Sequence, residues 1–105
     1  MIYIMEKVVV DGMTKVLISE GYGSGFYTYG APPNAVFDPK LIELVESGNH
    51  DATISYVEKT YPGIHLGGIS GLSVCLIPVD TEFTINEYDG YESITYKQDI
   101  NWMIS

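Results

Sequence analysis

The sequence predicts an α+β domain of about five antiparallel strands with two short helices on one face, in the order ββααβββ. Three observations carry that prediction. Asp11-Gly12 and Asp89-Gly90 each separate two β-prone runs, as a tight hairpin turn with positive φ at both central residues requires. The middle of the chain carries helix start and stop residues, and the C-terminal third alternates apolar with polar positions. At 105 residues the chain holds one core, so residues 1–105 are read as a single domain. Met13 opens a run that would serve equally well as a beginning, so residues 1–12 can be set apart as an N-terminal extension.

The elements follow in order. Ile, Val and Tyr enrichment predicts strands over 2–10 and 14–19. From 20 to 35 four glycines permit unusual backbone angles, Pro32 and Pro33 argue against a helix, and the interspersed aromatics anchor a long ordered loop. Asp38 suits an N-cap and Pro39 the first helical position; Leu41, Ile42, Leu44 and Val45 form one stripe, and Gly48 suits the C-terminus, giving a helix over 39–47. A second helix is expected over 52–60, capped by Asp51 and stopped by Tyr61-Pro62-Gly63. Strands are expected over 72–79, 82–88 and 92–98 as a meander. Phe83 and Ile85 alternate with Glu82, Thr84 and Asn86, and Ile94 and Tyr96 with Ser93, Thr95 and Lys97, so one face is buried and the other wet.

Charge narrows the function classes. The chain has fourteen Asp and Glu, five Lys and no Arg, for a net charge of -9, together with nine Tyr. Without a guanidinium fork, direct nucleic-acid reading is disfavoured, and the negative charge repels anionic lipid and DNA while attracting basic partners. No run approaches the ~20 apolar residues of a membrane span, and the first ten residues do not read as a secretory signal. With Cys75 as the sole cysteine, inside an apolar run, a buried thiol and a reducing cytoplasm are expected.

No constellation fixes a chemistry. Gly21-x-Gly23-x-Gly25 follows a strand, but Phe26 and the absence of a following helix break the dinucleotide pattern, leaving a structural loop or a weak ligand contact. Ser24, His50, His65 and Cys75 match no zinc spacing and no nucleophile motif, so no catalytic residue, metal or cofactor is expected. Glu82, Glu87, Asp89 and Glu92, reinforced by Asp80, Glu20, Glu43 and Glu46, are either a solvated surface or an acidic face for a basic partner. In the loop, Phe26 is the core candidate, while Tyr22, Ser24, Tyr27 and Tyr29 are contact candidates, because tyrosine adds contact area at low entropic cost.

Three segments carry a resemblance: Lys15-Val16-Leu17-Ile18-Ser19-Glu20-Gly21-Tyr22-Gly23-Ser24-Gly25-Phe26-Tyr27-Thr28-Tyr29; Leu41-Ile42-Glu43-Leu44-Val45-Glu46-Ser47-Gly48; and Gly67-Gly68 with Asn86-Glu87-Tyr88-Asp89-Gly90-Tyr91-Glu92-Ser93-Ile94. Together they resemble a group of small phage and prophage proteins of unassigned function, in the same order over roughly residues 13–96. In that group tryptophans often stand where Phe26 and Tyr29 stand here, and a tyrosine commonly precedes the paired glycines where this chain has Ile64-His65-Leu66.

The resemblance implies a phage setting and the cytoplasm of a host cell, where small acidic proteins often inhibit host defence, anti-CRISPR proteins among them. Two readings stay open. One is a non-enzymatic accessory protein that binds a host protein with a basic surface through an acidic, nucleic-acid-mimicking face. The other is a small-ligand or nucleotide-binding sponge that uses the Gly/Tyr loop. Self-association into a homo-oligomer is left open.

Overall fold

The computed structural model describes residues 7–21, 23–64 and 66–96. Within them the chain is α+β: β1 (Val9–Val10), β2 (Met13–Ser19), α1 (Pro33–Val36), α2 (Pro39–Ser47), α3 (His50–Thr60), β3 (Leu72–Pro78), β4 (Phe83–Tyr88) and β5 (Tyr91–Tyr96), with 3-10 turns at Tyr27–Tyr29 and Leu66–Gly71. All strand pairs are antiparallel, as the hairpin signals required. The expected strand 2–10 is described only from its end, where Val8 O still accepts from Lys15 N; residues 2–6, like 97–98 of the last expected strand, lie outside the described residues.

The last three strands do not form the expected meander, and the five strands do not make one sheet. They divide into a sheet ordered β1-β2-β3 and a separate β4-β5 hairpin. The connection 79–82 breaks the meander: Asp80 takes a left-handed φ of 64°, and β4 leaves the sheet instead of pairing with β3. Both Asp-Gly pairs have positive φ at each residue, Asp11 at 52° and Gly12 at 75°, Asp89 at 51° and Gly90 at 87°, as the tight two-residue turn demands.

α2 forms at 39–47 as its residues dictate. Asp38 Oδ1 accepts from Lys40 N and Leu41 N, Pro39 fills the first turn, and Gly48 ends the helix at φ 75°. α3 starts earlier than expected, because the Asn49 side chain accepts from Ala52 N and so takes the cap role assigned to Asp51, which falls in the first turn. The Pro32-Pro33 pair does not exclude a helix: Pro33 occupies the first position of α1, where its missing N–H costs nothing.

The core gathers Leu41, Ile42 and Val57 of the helices with Leu17 on one face of the three-stranded sheet and Val16 and Ile77 on the other, and it continues into the loop through Phe26. On β2, Lys15 and Leu17 share a face with period two, and Lys15 Nζ pairs with Glu46 of α2 at 2.6 Å, which places the helical layer on that face. The hairpin is tied to the helical segment by Phe37, whose ring meets Phe83 edge-on at 6.3 Å between centroids. Cys75, on β3, is half-buried, and burial together with the nearby Glu20 charge pushes its thiol pKa up. No described helix is long and apolar enough to cross a membrane.

Candidate functional site

The sequence offered two separate candidate surfaces, the glycine loop and the acidic hairpin. The fold joins them. Gly23 N donates to Asp89 O at 2.5 Å, and Gly90, buried in the hairpin turn, lies so close to the loop that a Cβ there would stand 2.7 Å from Gly23 C. On the other side Gly68 presses against the loop, and a Cβ on it would stand 2.8 Å from Gly25 C. The loop is thus held between two backbones that approach because neither carries a side chain at the contact.

At the centre of this junction sits Glu92. Its residue is 0% exposed, so it is not part of an acidic face, and that assignment is corrected. The carboxylate accepts four hydrogen bonds: Oε1 from Ser19 N at 2.8 Å, and Oε2 from Phe26 N at 3.0 Å, Thr28 N at 2.8 Å and Thr28 Oγ1 at 2.7 Å. Burying a carboxylate is costly unless its lone pairs are satisfied, and here backbone dipoles from the end of β2 and from the loop supply the satisfaction. Ser19 N points away from β3, where a neighbouring strand would bond it, so Glu92 takes the place of that strand. A glycine-rich loop after a strand does bind an anion, but the anion is the protein's own side chain.

The alternation along β5 already contained this result. Glu92 has the parity of Ile94 and Tyr96, so the periodicity that turns those residues inward turns Glu92 inward as well. Judged as a member of an acidic run it looked solvated; judged by its position in the strand it is a core residue.

The remaining candidates are distributed unevenly. Tyr88 is 79% exposed at the hairpin tip, flanked by the exposed Glu87 and Asp89. Glu87 also braces the turn, since its Oε2 accepts from Gly90 N at 2.8 Å. Glu20, exposed at the end of β2, bonds Ser73 Oγ. Tyr27 and Tyr29 are exposed on the loop, and Tyr27 borders an apolar cavity of about 150 Å3 with Val36, Phe37, Phe83 and Ile85. Ser24 is half-buried, its carbonyl accepting from Ser19 Oγ, and Tyr22 lies outside the described residues. Glu82 is exposed but precedes β4 at the end of the hairpin opposite the tip, about 20 Å from Tyr88 by strand geometry, so it does not share the tip surface. Among the described residues none of Glu20, Glu87 and Asp89 is ion-paired, whereas Lys15 is paired with Glu46 and Lys7 lies 4.8 Å from the Phe37 ring centroid.

A second polar cluster is structural. Asp38, beyond capping α2 with Oδ1, accepts through Oδ2 from Tyr56 OH at 2.7 Å and Tyr61 OH at 2.5 Å. Burial, then the bond to Asp38, raises both phenol pKa values above the usual tyrosine range. The cluster locks α3 to the start of α2. His50 borders a shallow cavity of about 190 Å3 with Thr53, Ser70 and Leu72, and His65 lies outside the described residues. Among the described residues no three His, Cys, Asp or Glu side chains are placed to hold a metal.

No protein-family model, no curated protein and no solved structure matches this chain.

Proposed function

We propose that this chain is a non-enzymatic phage accessory protein that binds a basic surface on a host protein and inhibits it, in the manner of a host-defence inhibitor such as an anti-CRISPR protein. The observation that carries the reading is the hairpin tip: Tyr88, 79% exposed, stands between the carboxylates of Glu87 and Asp89 on a turn fixed to the loop below it. An exposed tyrosine on a rigid turn loses little entropy on binding, and exposed carboxylates beside it, not ion-paired among the described residues, steer a basic partner. The phage setting and the inhibitory role rest on the resemblance of the loop and hairpin segments. The acidic face is redrawn around Glu20, Glu87, Tyr88 and Asp89, with Tyr29 on the adjoining loop, while Tyr27 borders Phe83 and Ile85 toward the far end of the hairpin.

The alternative, a nucleotide sponge using the loop, has less support, because the Phe26 and Thr28 amides that would line a phosphate are bonded to Glu92. The test is affinity capture from host lysate with the native chain and with Tyr88→Ala and Asp89→Asn. Asn tolerates the left-handed turn position, so the second variant removes charge without removing the turn. The native chain is expected to retain a partner that both variants lose, and binding should weaken steeply as salt rises, since exposed charges are screened over about 8–10 Å. Capture of the same partner by all three, indifferent to salt, would refute the reading.

A further inference from the structure

Among the described residues, no strand pairs with the outer edge of β3. The bonds Glu20 N to Gly71 O and Val79 N to Gly12 O fix the phase of the β2-β3 ladder: residues 71, 73, 75, 77 and 79 turn their N–H and C=O toward β2, and 72, 74, 76 and 78 turn theirs outward. Neither Val74 N nor Leu76 N has a hydrogen-bond partner among the described residues. Natural edge strands are usually blunted by charge, a bulge or a covering element. The run Leu-Ser-Val-Cys-Leu-Ile-Pro carries no charge, and Leu76 is 49% exposed on it, whereas the open side of β4 carries Glu87.

We propose that β3 pairs with β3 of a second copy of this chain, antiparallel and centred on Cys75, so that two three-stranded sheets become one six-stranded sheet. The edge is self-complementary about that residue. Cys75 is the midpoint of 72–78, and a two-fold axis through it sets Val74 opposite Leu76 of the other copy and Leu72 opposite Pro78. Every outward N–H on both strands then finds a carbonyl, and Pro78, which has no N–H, falls at the end of the ladder where the loss is smallest. The exposed Leu76 is covered by Val74 of the other copy. The two Cys75 residues become a non-hydrogen-bonded pair, with Cα atoms about 4.5 Å apart, within reach of a disulfide. Like charges oppose association, Glu20 beside Ser73 and Cys75 among them, and salt screens them; the dimer therefore tightens as salt rises, opposite to the behaviour expected for a basic partner.

Sedimentation of the native chain over a concentration and salt series is expected to show a two-chain species that strengthens with salt, and Leu76→Lys, a change at an exposed side chain, is expected to shift it to the mass of one 11.6 kDa chain with unchanged circular dichroism. In the native dimer the amides of Val74 and Leu76 are expected to exchange slowly, and to become fast on dilution. Diamide, which takes up both thiol hydrogens as the disulfide forms, should cross-link the dimer through Cys75 and leave Cys75→Ser uncross-linked though still dimeric. Alkaline pH is used because burial and Glu20 hold the thiol protonated. A native chain that sediments as a single chain at millimolar concentration overturns the proposal and leaves the edge to a strand of another protein. A Leu76→Lys variant that still dimerises, or a dimer that diamide cannot cross-link, overturns it as well.

Discussion

Replacing Glu92 with Gln keeps the volume of the side chain and changes only what its atoms can do. The amide oxygen can occupy the Oε2 position and keep Phe26 N, Thr28 N and Thr28 Oγ1, but the amide NH2 then faces Ser19 N, donor against donor, in a site that is 0% exposed. A buried N–H left without a partner costs about 1–3 kcal/mol, and the three surviving bonds fall to roughly half their charge-assisted strength. The lower burial cost of a neutral amide offsets part of this. The net expectation is a loss of about 2–4 kcal/mol, a large fraction of the roughly 5–15 kcal/mol that holds such a domain together. For a domain near 100 residues, at about 4–8 °C per kcal/mol, the melting temperature should fall by roughly 8–32 °C. Calorimetry gives that number, and amide exchange locates it: Phe26 and Thr28 should lose protection before the β2-β3 ladder does. A melting temperature within about 4 °C of the native chain would mean that the four bonds to Glu92 do not clamp the loop.

The same junction predicts that Gly68→Ala destabilises by about 1–3 kcal/mol, because its new Cβ would meet the Gly25 backbone, which cannot rotate away as a side chain could; an unchanged denaturant midpoint would show that the loop does not rest there. Between α2 and α3, Tyr56 and Tyr61 should ionise above the ordinary tyrosine value near 10, with burial and Asp38 responsible. Their native pKa values are raised above the unfolded ones, so this contribution to stability is whole below pH ~10 and is lost as pH climbs through the native values. Absorbance titration of tyrosinate in the native chain and in Asp38→Asn checks it: the variant should ionise earlier, and coincident curves would contradict the assignment.

Much of the local structure was legible in the residues. Asp38-Pro39 and Gly48 set both ends of α2, and the two Asp-Gly pairs set both hairpins, because capping and positive φ are satisfied within a few residues and depend little on distant packing. Period two along β5 also placed Glu92 on the inner face, although its charge and its place beside a turn argued for solvent. What local pattern could not supply was the partner of each surface. Whether β4 continues the sheet or leaves it depends on what else can cover its apolar face, and Phe37 and the loop do so from 46 or more positions away in the chain for Phe83. The internal anion has the same character: Ser19, Phe26 and Thr28 lie between 64 and 73 positions from Glu92, and only the docking of the hairpin brings their donors to one carboxylate. Sequence fixes which groups need a partner, since the backbone donors of a glycine-rich loop and a carboxylate on an inward strand position are both costly to bury alone; tertiary structure decides that they satisfy each other.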